Sequence, residues 1–452
     1  MKSSNPLYRS LSLGLAVACL VIGQAHASGF ALIENSASGQ GNAYAGAAAH
    51  TNDASAVFFN PAGMMRLEKD QFSFAGHYIK PEASFKNQGS TSAPSLGSTA
   101  LTGPDDDGGF DALVPNLYWV KSIDQQTKFG LGVQTLFGLA TKYDDNWVGR
   151  YHAVETDFKT LNINPSIAYQ VNEKVSIGGG IDVVFGHIIF SNAIDFGAIC
   201  AAQGLASASC SPQNTDGFAT LEGDNLSDPA LGFNFGLQYL IAPQTIFGAS
   251  YRSEIDVDLQ GQADFKVPAG AAFITGSGLF TDSAIDASVT LPASLALSIA
   301  HGTGKITYLA DVTWTGWSSF DELRINYVNA AQPDSVTTED WKDTLRYSIG
   351  LDYEYTDKVV LRTGIAYDES PVPSAERRTA RIPGNDRTWL SLGLTYLLDD
   401  EFTLDVGYSH LFIEDTKINN EFESSVPTLA STLTGEYQAA VDILSVQLNW
   451  NY

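Results

Sequence analysis

The chain is poor in basic residues. Lys and Arg total 25 against 51 Asp and Glu in 452 residues, a formal charge of −26. A surface that acidic repels phosphate backbones, which excludes nucleic acid as a partner. Charged residues make up only 17% and hydrophobic ones 44%, which excludes disorder as the main state. Long apolar runs are missing too: no segment reaches 18 consecutive apolar residues, so no helix spans a membrane. That absence leaves strands as a way across, because a barrel strand alternates apolar and polar residues and averages to neutral hydropathy. Catalytic constellations are also lacking. The chain has 7 His, and His50, His77, His152, His187, His301 and His410 are scattered, with no nucleophile-elbow or zinc spacing. No enzyme activity, cofactor or metal is expected. What is abundant is 41 Gly, 19 Tyr, 24 Phe and 7 Trp beside 3 Met and 3 Cys, a balance that suits pleated surfaces and tight turns.

Residues 1–27 form an export signal. Lys2 and Arg9 precede an apolar run from Leu11 to Gly23, and Ala25 and Ala27 occupy the small-residue positions of a cleavage site. The mature chain begins at Ser28. It keeps two cysteines, Cys200 and Cys210, which in an oxidising compartment are expected to form a small-loop disulfide, with free thiols as the alternative.

Period-2 alternation runs long. Leu444, Val446, Leu448, Trp450 and Tyr452 alternate with Ser445, Gln447, Asn449 and Asn451. Leu231, Phe233, Phe235, Leu237 and Tyr239 form a second row, and Leu345, Tyr347, Ile349, Leu351 and Tyr353 a third. Two further rows are read as single faces: Phe247, Ala249, Tyr251, Ile255, Val257 and Leu259, then Ile285, Ala287, Val289, Leu291, Leu295, Leu297 and Ile299. Soluble strands usually run about 5 or 6 residues, whereas a tilted bilayer-crossing strand needs about 9 to 11. Strands are expected near 70, 113, 128, 158, 175, 230, 245, 285, 305, 343, 358, 387, 401 and 440. Short connections near 122, 172, 243, 302, 357 and 400 alternate strictly with long ones. The class is all-β: a 14-stranded antiparallel up-and-down transmembrane β-barrel in the bacterial outer membrane. Closure follows because an open edge in hydrocarbon leaves polar groups unpaired.

Ahead of the first strand, residues 28–66 do not alternate. They are rich in Gly, Ala, Ser and Asn and end in Asn60-Pro61-Ala62-Gly63, yet include Phe30, Leu32, Ile33, Phe58 and Phe59. A loose tail has no use for those anchors; a hatch plugging the lumen uses both. The domains are therefore a signal at 1–27, a hatch at 28–66 and a barrel at 67–452. The outer loops carry an apolar load in Phe196, Phe218, Phe265, Phe273 and Phe280, read as a greasy capture groove rather than mere loop packing. Asp105, Asp106 and Asp107 are read as a solvated acidic loop, with divalent-ion bridging to lipopolysaccharide as the alternative.

The phrases SGFALIENSASGQGNAYAG, NPAGM, FGLAT, YRSEIDVDLQG, WTGWSSFDEL, LRTGIAYDESPVP and RIPGNDRTWLSLGLTY together resemble the FadL-type long-chain fatty acid transporters, relatives of the TodX-type aromatic hydrocarbon channels. The resemblance implies passive uptake of hydrophobic molecules, most simply long-chain fatty acids, with lateral release through a gap in the barrel wall. It implies that Ser28, Gly29 and Phe30 reach the ligand pocket, that Asn60, Pro61 and Ala62 are the hatch motif, and that Gly138 marks the kinked strand at the opening. Asn60 is expected to contact that strand. The terminal Tyr452 resembles the signal read by the outer-membrane insertion machinery. Outer-membrane lipid and lipopolysaccharide are further partners, and a monomer is expected. One departure stands out: the strand from Val175 offers only His187 to meet a carboxylate, and Arg252, Arg346 and Arg362 fall on polar rows among acids. Neutral aromatic or alkane hydrocarbons therefore compete as ligands. An open porin is disfavoured by the hatch, and a lipid hydrolase would need Ser and His within hydrogen-bond reach.

Overall fold

The computed structural model describes residues 29–452; the export signal and Ser28 lie outside them. Among the described residues all strand segments join one sheet, which forms a closed barrel of 14 antiparallel strands. In chain order these are β1 (Gln71–Asn87), β2 (Ala112–Ser122), β3 (Thr127–Gln134 and Gly138–Lys142), β4 (Glu155–Asn172), β5 (Val175–Asp195), β6 (Asp216–Asp224 and Ala230–Ala242), β7 (Thr245–Arg252 and Ile255–Lys266), β8 (Ser283–Leu291 and Ser294–Thr303), β9 (Ile306–Thr315 and Glu322–Tyr327), β10 (Thr344–Thr356), β11 (Val359–Asp368), β12 (Arg387–Leu397), β13 (Phe402–Ile413 and Thr416–Glu421) and β14 (Thr432–Asn451). β14 returns to β1 in register from Gln71↔Asn451 to Asn87↔Gly435 and closes the wall.

The C-terminal row behaves as its alternation predicts. Leu444, Val446, Leu448 and Trp450 are exposed to the membrane side, while Ser445, Gln447 and Asn449 are buried inside. Higher on the same strand the rows exchange character. Ile443, Tyr437 and Leu433 are buried in the interior, while Asp442, Gln438 and Glu436 stand on the opposite parity. The lower lumen is thus polar and the upper lumen apolar.

In β7 and β8 this exchange breaks the backbone, which corrects two of the rows read as single faces. Tyr251 is exposed but Ile255, Val257 and Leu259 are buried; Leu295, Leu297 and Ile299 are exposed but Ile285, Ala287, Val289 and Leu291 are buried. The breaks fall at Ser253 and Glu254 and at Pro292 and Ala293. Sequence parity is kept across each break while the facing reverses. The result is one apolar cluster in the upper barrel, running from Phe30 and Trp317 to Phe190 and Leu221.

Residues 29–66 sit within the ring of lower-lumen side chains. The Ala37 amide donates to Gln447 Oε1 at 2.9 Å, Gln40 Nε2 to the Ile443 carbonyl at 3.0 Å, Asn42 Nδ2 to Asp352 Oδ1 at 3.0 Å, and the Ala48 amide to Ser298 Oγ at 3.0 Å. Several wall glycines exist for this segment. A Cβ at Gly407 would lie 2.7 Å from the Ala37 carbonyl oxygen, and one at Gly178 would lie 2.6 Å from the Ala62 nitrogen. Replacing either would push backbone against backbone.

Candidate functional site

A cavity of about 340 Å³, within the size range of small-molecule sites, lies where the N-terminal segment meets the apolar upper lumen. Its lining includes Gly29, Phe30, Leu32, Phe58, Leu136, Gly138, Trp317 and Trp389. Phe30 is the hub of an aromatic cluster, with ring centroids 4.9 Å from Trp317, 5.5 Å from Phe320, 5.7 Å from Phe158 and 5.8 Å from Phe137 and Trp341. Edge-to-face contacts at these separations add to area burial.

Among the cavity's polar lining are Glu34, Arg252, Asp311, Arg346, Asp368 and Arg387. Arg252 is committed: it is ion-paired with Asp182, donates to the Phe58 carbonyl at 3.2 Å and covers the Phe58 ring. Arg362 is likewise committed, to Asp352 at 3.4 Å and Asp405 at 3.1 Å. Arg346 differs. Its Nη2 donates to the Ala43 carbonyl at 2.9 Å and its guanidinium lies 5.1 Å from the centre of the Trp389 ring, but Nε and Nη1 are buried without a partner. It makes no ion pair among the described residues. His187, by contrast, is on the outer face of β5, 4.0 Å from Glu222. This basic group of the cavity lining stands on β10, outside the row from Val175.

β3 is interrupted between Gln134 and Gly138. Its ladder with β2 runs only from Leu117↔Val133 to Ser122↔Lys128, so Ala112 to Asn116 of β2 lack a strand partner on that side. The N-terminal segment occupies the break. The Gly138 amide donates to the Phe30 carbonyl and the Leu32 amide to the Leu136 carbonyl, each at 2.9 Å, and Ala31 bridges to Phe137.

The expectation that Asn60 contacts this strand is corrected. Its side chain donates to the carbonyls of Ala48 at 2.6 Å, Leu237 on β6 at 3.0 Å and Ala249 on β7 at 3.3 Å. The same side chain accepts from the Ala62 amide at 3.1 Å and so caps the 3-10 turn Pro61–Arg66. Asn as cap and Pro in the first position, where no N–H is needed, explain the Asn-Pro order. The asparagine therefore fastens the segment to β6 and β7, three and four strands round the wall from the kinked β3.

In the outer loops Phe196 and Phe280 are buried against each other, with centroids 5.1 Å apart, and Phe265 packs on Phe280 at 5.8 Å. Phe218 is half-buried against a separate cluster, and Phe273 is exposed. Cys200 and Cys210 form a disulfide that ties the end of helix Phe196–Ala202 to the following loop. The aspartate triplet holds its own loop: Asp105 accepts from the Asn87 amide at 2.9 Å, Asp106 from the Asp144 amide at 2.6 Å and Asp107 from the Ala83 amide at 3.0 Å. A Ser–His contact does occur, His77 Nδ1 to Ser445 Oγ at 2.5 Å, but both residues are fully buried and Ser445 also donates to Gln40 of the N-terminal segment.

A closed barrel with outward apolar rows and a greasy internal cavity is an outer-membrane protein built to hold hydrophobic molecules. Residues 18–452 match the model of the outer membrane protein transport protein family (OMPP1/FadL/TodX), and the chain belongs to that family. It is 33% identical to the long-chain fatty acid transport protein of Salmonella typhi, over 93% of this chain and 96% of that one. It is 31% identical to the 47 kDa outer membrane protein of Pasteurella multocida, over the whole of both chains. Among solved structures, a Pseudomonas aeruginosa FadL homologue superposes with a TM-score of 0.84 at 24% identity, covering 94% of this chain and 100% of that one. The Pseudomonas putida toluene transporter TodX superposes with 0.66 at 16% identity, covering 94% and 100%. The family consists of outer-membrane transporters of hydrophobic compounds.

Proposed function

We propose that this protein carries long-chain fatty acids across the outer membrane. The outer loops capture the ligand, the cavity around Phe30 stores it, and the hatch of residues 28–66 rearranges to release it sideways at Gly138. The observation that carries the choice of ligand is Arg346, a cation with two unpartnered donors at the edge of an apolar cavity. Glu34 and Asp311 act on this guanidinium only through space, and leaving its donors unpaired is costly; a fatty acid supplies a carboxylate in direct contact while its tail fills the apolar space. The planar donor fork also suits a carboxylate better than any neutral head. The 33% identity to a long-chain fatty acid transport protein supports the same reading.

The test is equilibrium binding of oleate and of a neutral alkane to the purified protein and to Arg346→Met, which keeps length and removes charge. Oleate is expected to weaken tenfold or more, about 1.4 kcal/mol, with the alkane unchanged. Equal affinity of both proteins for oleate would point to a neutral hydrocarbon ligand.

A further inference from the structure

The ladder between β6 and β7 is broken at the outer interface. Pairing stops at Asn234↔Arg252 and resumes only at Asp224↔Gln260. Between those points one backbone bond remains, from the Ser253 amide to the Phe233 carbonyl at 2.9 Å. Each edge keeps its other neighbour: Ala230 pairs with Val184 of β5, and Ile255 with Leu291 of β8. This seam is therefore a discontinuity of the wall separate from the β2–β3 break, with both flanking strands held on their far sides.

The seam is apolar on both sides. Outside it, Leu226 and Leu231 are 66% and 68% exposed; inside it, Ile255 and Val257 are 2% and 0% exposed and belong to the cluster that reaches Phe30. Besides the Ser253–Phe233 backbone bond and one from the Phe233 amide to Ser253 Oγ at 3.0 Å, side-chain packing closes the passage: Ile255 lies beneath Gly232, where a Cβ would sit 2.5 Å from Ile255 Cγ1. The interruption between β8 and β9 differs, being filled by the turn Trp317–Ser319. The seam is also clamped by the hatch from below, where Asn60 bonds to Leu237 and Ala249 and Phe58 lies against Arg252. Glu254 and Asp256 stand exposed at its outer lip, so a head group passing there meets like charge if it is anionic.

We infer that the β6–β7 seam is a second portal, through which uncharged single-chain amphiphiles dissolved in the outer leaflet enter the upper lumen. This rests on the reading of the cavity as a store for hydrophobic molecules, but not on the role of Arg346. An alkyl chain moving along this path stays in apolar surroundings throughout, which retains its burial energy, and the unpaired strand edges let the packing part without breaking a ladder.

The test uses the full-length protein in phosphatidylcholine vesicles containing hexadecanol with a mid-chain diazirine. After irradiation, adducts are mapped by mass spectrometry on the native chain. Val257 is expected to carry adduct at a tenth or more of the level on the lipid-facing Leu297; a lower level overturns the portal. A second arm locks the seam by a disulfide between Gly232→Cys and Ile255→Cys, which the close approach brings within reach. Locking should cut labelling of Val257 at least fivefold and leave Leu297 unchanged. A smaller drop means the probe arrived from the lumen, and the seam is not the route. Neither arm measures oleate binding, so loss of the carboxylate reading would leave this result standing.

Discussion

At the scale of single residues, polar groups in greasy places carry the information. Arg346 is one; Glu339, in the outer loop between β9 and β10, is another. It is buried, accepts from Trp341 Nε1 at 2.8 Å, and so positions an indole that packs on Phe30, Trp317 and Phe320. Burial pushes its carboxyl up to about 8, a rise opposed by the Trp341 hydrogen bond and by Arg377 and Arg381 and reinforced by Glu423. A folded-state value above the unfolded one means that the folded loop holds a proton the unfolded loop has released. The stabilisation is complete below about 4.5 and is lost as pH rises through about 8. Hydrogen exchange across residues 335–343, corrected for its intrinsic pH dependence, should therefore show weaker protection at pH 9 than at pH 6. Glu339→Gln should flatten that difference, and an unchanged slope in the variant would assign the effect to another group. The sequence named Arg346 only as one of three polar-row arginines among acids and did not single out Glu339 in its acidic loop, so each gains its meaning from neighbours distant along the chain.

At the scale of elements, residues 29–66 are fastened to the lower lumen by polar contacts beside the apolar packing of Val57 and Met64 with Tyr118 and Val120. Asn42 reaches Asp352, which Arg362 and His50 also meet at 3.4 and 3.5 Å. Such a polar interface can exchange partners with water as the segment moves, whereas an apolar one would resist. Deleting residues 28–66 should leave a folded barrel and raise single-channel conductance in planar bilayers several-fold, because the lumen this segment fills would then be open to water. A large steady pore in the intact protein would rule out a plug. The strand order was legible in advance, since lipid on one side and side chains on the other force period 2 through the bilayer. What was not legible was the upper part of several strands. β6 begins at Asp216 rather than near 230 and β14 at Thr432 rather than near 440, because above the membrane the apolar row turns inward and the pattern resembles a loop rich in Phe and Leu. The same exchange hid the breaks at Ser253 and Pro292: parity in a sequence records alternation but not which face is wet.

At the scale of the whole molecule, the question is how a ligand leaves a cavity sealed below by a packed segment. Passage down through the polar lower lumen would strip the tail of its apolar surroundings at a cost of roughly 25 cal/mol for each Å² wetted, whereas a sideways exit into lipid keeps them. The break between β2 and β3 is the outlet proposed for that route, and it is filled at present by Phe30, Ala31 and Leu32 paired to the β3 edge. On the proposed route, release would require this short stretch to peel away, so that residues lining the cavity would also act as its door. Gly138 lies at the centre of the break, where an added Cβ would stand 2.9 Å from Leu32 Cδ1. An arginine there displaces Leu32 and holds a charge in the outlet, so Gly138→Arg should lower uptake of radiolabelled oleate by cells at least tenfold at matched surface expression. Binding of oleate to the purified variant should fall much less than uptake, since Arg346 is untouched even though Gly138 and Leu32 belong to the cavity lining. Normal uptake by this variant would mean that the ligand leaves elsewhere. Loss of binding together with uptake would mean that the substitution had reached into the store itself.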